Sequence, residues 1–273
     1  MDRIYGIFEE TNRMALYDTI GQGYGRTRPA DDRIVSALIA TLSLRQGSTI
    51  LDVGAGTGKY SRALADLGYS VIAIEPSEVM QSQSTPHEKV KWIKAAAEEI
   101  PLADNSADGA IIMLALHHFS NRGRALQEIV RVAGAGPVVI FTFEPTVLYK
   151  FWLADYFPRL GREIRSSFSD LEDIAREVET HLSRKVNSVT FPLPRDLEDK
   201  FVSACWAMPE SYLDPGVRNG ISSFSLMKKE EVEAGVAQLK ADLHSGNWDA
   251  KYGALRSQET YDAGYKFIVA KAG

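Results

Sequence analysis

Cysteine is almost missing: Cys205 stands alone among 273 residues. No disulfide can close within the chain and no zinc centre can be assembled from thiolates, so no metal is expected and a reducing, cytoplasmic setting fits. Charge of one sign is also scarce. The 31 Lys and Arg residues face 36 Asp and Glu, a formal net charge of -5, with no basic run of the kind that neutralises successive phosphates. Nucleic acid is therefore not an expected partner. Long apolar runs are absent too. The longest, around Ala110 to Leu116, is far too short to cross a bilayer, and MDRIYGIFEETNR carries charges where a signal peptide needs its apolar core, so membrane insertion is not expected. There is no internal repeat or low-complexity linker. What the chain does have is 45% hydrophobic residues, enough to bury one large core or a core with a smaller lobe.

From about residue 48 to 143, short β-branched runs alternate with helical patterns, the signature of a parallel sheet with crossover helices. Strands are predicted at 48–53, 70–75, 90–95, 108–116 and in PVVIFTF. The nearly all-apolar fourth run suits a central strand buried on both faces. KYSRALADLGY presents Tyr60, Ala63, Leu64 and Leu67 on one helical face and ends at Gly68, Ser77 can cap a following helix, and RALQEIVRVA repeats Leu126, Ile129, Val130 and Ala133. Upstream, PADDRIVSALIATLSL is a helix with Pro29 suited to its first position and Ile34, Val35, Leu38 and Leu42 on one side. Past residue 145, aromatics and arginines crowd helical stretches, and SRKVNSVTFPLP and YDAGYKFIVAKA read as two more strands around a long helical segment. The expected fold is a Rossmann-like, doubly wound α/β architecture: a seven-stranded mixed sheet with helices on both faces and a helical lid inserted after the fifth strand.

ILDVGAGTGKYS, residues 50 to 61, sets three glycines between a strand and a helix. Such a turn brings a ligand close to the backbone at the carboxyl edge of the sheet. A dinucleotide loop needs its third glycine three positions after Gly56, where Lys59 stands, the glycine falling one earlier at Gly58. A P-loop needs a glycine where Val53 lies and a hydroxyl where Tyr60 lies. Both phosphate readings are weakened. Glu75, about 20 residues further on at the tip of the second strand, suits hydrogen bonds to ribose hydroxyls in either an NAD site or a phosphate-free nucleoside site.

DVGAGTG (52 to 58), Glu75, AEEIPLADNSADGAII (97 to 112) and LALHHF (114 to 119) together resemble the class I S-adenosylmethionine-dependent methyltransferases, in particular the small-molecule branch grouped with the ubiquinone and menaquinone methylating enzymes. The resemblance covers roughly residues 14 to 145 and implies S-adenosylmethionine as cofactor and transfer of a methyl group to a small molecule. It divides the chain into 1–145, N-terminal helices plus the cofactor-binding core, and 146–273, a helical acceptor region with the last two strands of the same sheet, within a single structural domain. The implied cofactor residues are Asp52, Gly54, Ala55, Gly56 and Gly58 in the loop, Glu75 and Pro76, and Met113 and Leu114 on the fourth strand. Asp52 either ties down loop amides or offsets the methionine ammonium. The family commonly has an aspartate for the adenine amino group where Ala96 stands, so adenine falls to the backbone of Ala96 and Ala97, with Glu98. Arg28 is placed to pair with the methionine carboxylate, with Tyr17 or Tyr24 over the sulfonium.

Methyl transfer from a sulfonium needs alignment and partial dryness, and a base only for a weak nucleophile. His117 and His118, ending the fourth strand on opposite faces, are the candidate base; packing against the loop and capping the next helix are their structural alternatives. The acceptor side draws on Tyr24, Trp152, Tyr156, Trp206 and Arg218, pointing to a flat or apolar molecule. Two other functions compete: an NAD(P)-dependent oxidoreductase on the same sheet, and a methyltransferase with a macromolecular acceptor. The protein is expected as a monomer or homodimer.

Overall fold

The structure, a computed structural model, describes residues 28–160 and 170–273. It opens on α1 (Asp32–Leu42), which buries Ile34, Val35, Leu38 and Leu42 as the periodicity predicts. Its cap is Asp31, whose side chain accepts from the Arg33 amide, so Pro29 lies before the helix and not at its first position. The core then runs β1 (Thr49–Val53), α2 (Lys59–Asp66), β2 (Ser70–Ile74), α3 (Glu78–Gln81), β3 (Val90–Ile93), β4 (Gly109–Met113), α4 (Arg122–Ala133) and β5 (Val138–Phe143).

The remaining chain supplies α5 (Pro145–Leu148), α6 (Leu153–Tyr156), α7 (Leu171–Leu182), β6 (Val186–Thr190), a two-residue strand β7 (Leu193–Pro194), α8 (Pro215–Asn219), α9 (Ser222–Ser225), the long α10 (Lys229–Ser245), α11 (Asn247–Tyr252), β8 (Thr260–Tyr261) and β9 (Tyr265–Ala270). Seven strands form one sheet in the order β3-β2-β1-β4-β5-β9-β6. The first five are parallel, and β9 runs antiparallel between β5 and β6. The expected mixed sheet is present. Helices follow β5, and the largest helical run lies between β6 and β9, tethered by the β7–β8 ribbon.

Every residue of β4 and β5 is buried, because each face of the sheet carries a separate apolar core. One core joins the sheet to α1, α2 and the chain between β6 and β9. The other packs it against α4 and α7. The chain winds outward from β1 through β2 to β3, then resumes at β4 on the other side of β1. That reversal opens a crevice at the carboxyl ends of β1 and β4, where ligands of open α/β sheets bind.

Three local expectations are corrected. The fourth strand stops at Met113, because Leu114 takes a left-handed conformation with φ of 54° and a 3-10 turn follows at Leu116–His118. In α2 the buried positions are Tyr60, Ser61, Leu64 and Ala65, while Leu67 sits at the cap and is exposed. In α4, Val132 is buried in place of Val130, which is only partly covered.

Candidate functional site

β1 delivers Asp52 and Val53 to the crevice, and the chain turns through Gly54, Gly56 and Gly58, with φ of 73°, 59° and 72°. These are left-handed values that strain any other residue. Two of the three also lack room: a Cβ on Gly58 would fall 2.4 Å from the Trp92 ring and one on Gly54 2.6 Å from Cβ of Ala115. The loop amides are turned inward. Those of Gly54 and Ala55 donate to the Ile74 carbonyl at 2.9 and 3.0 Å, and that of Gly58 to the Ala55 carbonyl at 2.9 Å. The Gly56 amide donates to Oε2 of Glu75 at 2.8 Å. A phosphate cradle needs such groups to face the ligand; here the glycines make the loop thin, and the amides of Gly54, Ala55, Gly56 and Gly58 are spent on the end of β2, on Glu75 and within the loop.

Glu75 braces the loop from the neighbouring strand. Its second oxygen accepts from the Ser77 amide at 3.0 Å. Asp52 is more telling. It is buried, its Oδ2 accepts from the Ser61 hydroxyl at 2.5 Å, and among the described residues its Oδ1 has no hydrogen-bond partner. Burial, opposed by the Ser61 bond and reinforced by the charge of Glu75, pushes its carboxyl up to about 7. A buried, half-satisfied carboxylate is costly unless a donor completes it.

Behind the lining residues Arg28, Lys59 and Tyr60 lies a cluster that the sequence did not announce. Asp199, fully buried, accepts from Arg28, from Lys59 Nζ at 2.5 Å and from the Tyr60 hydroxyl at 2.9 Å. Burial alone would raise the Asp199 carboxyl, but the two cations override it and hold it below the usual range. Burial and Arg28 bring the Lys59 ammonium down to about 7 against the pull of Asp199. Arg28 also donates to the Gly220 carbonyl at 2.9 Å.

Among the described residues the cleft is lined by Arg28, Asp52, the loop from Gly54 to Thr57, Lys59, Tyr60, Ile74 to Ser77, Met80, Ala95 to Glu98, Met113 to Ala115, and His118 to Ser120. Counting the open solvent at its mouth, it spans about 1090 Å³. The sequence-predicted Arg28, Asp52, Gly54, Ala55, Gly56, Glu75, Pro76, Ala97, Glu98, Met113 and Leu114 are thus brought to one cleft, and Gly58 supports it from behind. The Glu98 carboxylate is engaged by the Asn121 amide at 2.9 Å.

Of the two histidines, His118 lines the cleft; the His117 ring lies 5.9 Å from that of Phe143. They sit on a 3-10 turn, so strand alternation is not what separates them. Trp152, Trp206, Tyr156 and Arg218 are not among the lining residues. Trp152 donates to the Trp206 carbonyl and Trp206 to the Leu193 carbonyl, each at 3.0 Å, within the core of the insertion. Tyr156 bonds Asp242 at 2.9 Å, and Arg218 donates to the Tyr212 carbonyl at 2.6 Å. Tyr17 and Tyr24 lie outside the described residues. Sequence reasoning passed over Lys59 as a binding residue although it adjoins the glycine loop, and it had no signal for Asp199.

A profile described as a methyltransferase domain matches residues 51–141. A solved structure from Anabaena variabilis, assigned as a methyltransferase of an antibiotic biosynthesis pathway, is 43% identical, superposes with a TM-score of 0.87 and pairs 90% of this chain with 99% of its own. The chain belongs to the class I S-adenosylmethionine-dependent methyltransferases, in their small-molecule branch. The oxidoreductase alternative falls away, and S-adenosylmethionine is the cofactor. Among curated relatives, malonyl-(acyl-carrier protein) O-methyltransferase of Pectobacterium atrosepticum is 30% identical over 130 residues, 45% of this chain and 51% of that protein. Demethylmenaquinone methyltransferase of Clavibacter sepedonicus is 26% identical over 181 residues, 60% of this chain and 74% of that protein. The chain spans about half the length of curated relatives such as the first. No helix among the described residues is long and apolar enough to cross a membrane.

Proposed function

We propose that this methyltransferase holds S-adenosylmethionine with its ribose on Glu75, its ammonium at Asp52 and its adenine against Ala96, Ala97 and Glu98, and methylates a small aromatic or apolar metabolite. The carrying observation is the unpartnered, buried Oδ1 of Asp52 in the cleft wall. That atom is what an ammonium donor would satisfy, and the glycine turn beside it has few amides left to offer a phosphate.

Bound there, the cofactor supplies a methyl group made electrophilic by a sulfonium. The residues of the chain do the rest. Glu75 fixes the loop and with it the height of the cleft floor. Met113, Leu114, Ala115 and Phe119 line the cleft with apolar surface, which limits water around the reacting atoms. His118, on the 3-10 turn that lines the cleft, takes a proton from a hydroxyl or ammonium acceptor in this reading. An apolar or aromatic acceptor fits this lining, and the names of the Anabaena variabilis and Clavibacter sepedonicus relatives, an antibiotic-pathway methyltransferase and a demethylmenaquinone methyltransferase, support acceptors of that kind and a role in secondary metabolism.

Calorimetric titration with S-adenosylhomocysteine and, separately, NADH tests the cleft assignment. Binding of the first in the range of about 1 μM to 1 mM typical of enzyme ligands, and its loss in Glu75→Ala, is expected. Binding that Glu75→Ala and Asp52→Asn leave unchanged overturns it. Turnover of a panel of phenols, amines and quinone precursors, read as S-adenosylhomocysteine formed, tests the acceptor class; activity confined to protein or RNA substrates would reject it.

A further inference from the structure

Asp199 lies far from the glycine loop in sequence, in the chain between β6 and β9, and its side chain is 0% exposed. Its two oxygens serve different cations. Arg28 donates through Nε to Oδ1, while Lys59 Nζ and the Tyr60 hydroxyl share Oδ2. One negative charge is therefore divided between two cations that both line the cofactor cleft. Lys59 has three N–H donors yet, among the described residues, gives a hydrogen bond from Nζ to Asp199 alone. Some 16% of its side chain is exposed. Across the same turn stands Asp52 with an unpartnered oxygen. An acid awaiting a cation and a lysine with donors to spare, on either side of one glycine loop, match the two charges of a zwitterionic amino acid.

We infer that Lys59 is a binding residue for a carboxylate of the bound ligand and that Asp199 is the positioning residue that holds it, together with Arg28, at the cleft wall. This rests on the cofactor reading of the cleft. The carboxylate belongs to the amino-acid tail of the cofactor or to an acidic acceptor, and the experiment separates these. Asp199 comes from the chain between β6 and β9, so that insertion holds two cleft-lining cations in place. A shift of the segment around Asp199 would loosen Lys59 and Arg28 together.

The test is calorimetry with S-adenosylhomocysteine and its decarboxylated counterpart, which keeps the amine, on wild type, Lys59→Met, Lys59→Arg and Asp199→Asn, each checked for cooperative thermal unfolding. Wild type should lose about 10- to 100-fold on decarboxylation, the scale of a charge-assisted hydrogen bond. Lys59→Met should bind both nucleosides alike, Lys59→Arg should restore part of the preference, and Asp199→Asn should lose most of it with little change toward the decarboxylated ligand. Were Asp199→Asn not to fold, Lys59→Met decides, since it leaves the bonds of Asp199 to Arg28 and Tyr60 in place. A preference that survives in Lys59→Met overturns the inference, and one that survives in a folded Asp199→Asn overturns the positioning role. If wild type binds both nucleosides alike, benzoate titrated into the S-adenosylhomocysteine-saturated protein should bind in a Lys59-dependent way, which assigns the carboxylate to the acceptor; benzoate binding indifferent to Lys59, or absent, overturns the inference. Wild type that binds neither nucleoside removes the cofactor reading and this inference with it.

Discussion

The turn between β1 and α2 lines the cleft directly, whereas the insertion between β6 and β9 supports it from behind, through bonds to lining residues. In the turn, contacts are short in sequence: Gly56 meets Glu75, Asp52 meets Ser61, and the loop amides meet the end of the adjacent strand. Little there can be exchanged, since the backbone itself occupies left-handed conformations against Trp92 and Ala115. In the insertion, short helices and 3-10 turns are held by aromatic packing, with Trp152, from the segment after β5, edge-on to Tyr212 and Trp248 and 3.0 Å indole-to-carbonyl bonds closing the core. Its ties to the cleft side are ion pairs from Asp199 to Arg28 and Lys59 and from Asp196 to Arg33, with the Glu198 backbone amide donating to Asp31. The turn shapes the cleft with its backbone, and the insertion supports it by charge brought from a distance.

The sharpest way to break this contrast is to add one methyl group to the turn. Gly58→Ala and Gly54→Ala combine a left-handed φ with a clash, at about 1–2 kcal/mol for the first and about 1–3 kcal/mol for the second. Gly56→Ala, whose new Cβ meets only the end of Met80 at 3.4 Å, should cost about 1–2 kcal/mol from the backbone alone. Urea unfolding of the three variants checks that order.

On the 3-10 turn, His118→Ala should lower kcat by about 100-fold, the lower end for a general base, while His117→Ala, off the cleft wall, should change it much less. Single-turnover rates over a pH series measure both, and equal effects would remove the distinction.

Asp52→Asn sets function against stability. Burial pushes the Asp52 carboxyl up to about 7 from its ordinary 3.8, so between these values the folded state binds the extra proton and wild-type stability falls as pH rises. Relative to wild type, Asp52→Asn without ligand should therefore gain stability as pH rises from 4 through 7, by of order a few kcal/mol, while its affinity for S-adenosylhomocysteine drops about 10- to 100-fold. Thermal melts at pH 5 and pH 8, with and without ligand, check the sign. The smallest effect belongs to the insertion core: Trp206→Phe removes an indole donor and should cost about 1 kcal/mol in stability, with nucleoside affinity unchanged by calorimetry.

Legibility followed the range of the interactions. The five parallel strands and the buried face of α1 could be read because each depends on a period within a dozen residues, and Glu75 because the strand-to-strand step in such units has a nearly fixed length. The end of β4 could not, since LALHHF is as apolar as a strand and only the packing of Leu114 at a positive φ ends the pairing. Trp152 and Trp206 were assigned to the acceptor on composition, yet their burial reflects the need of a small lobe for large side chains with satisfied N–H groups.

From the order of residues alone came the parallel sheet, the thin turn after β1 and the acid at the end of β2, because backbone sterics and side-chain periodicity act between near neighbours. Tertiary structure alone decided that Asp199 binds Arg28, Lys59 and Tyr60, that His118 and not His117 lines the cleft, and that one oxygen of Asp52 is left open. Those outcomes depend on which distant groups are shut away from water together, and the cost of burying a charge or a polar atom exists only once the chain has closed around it.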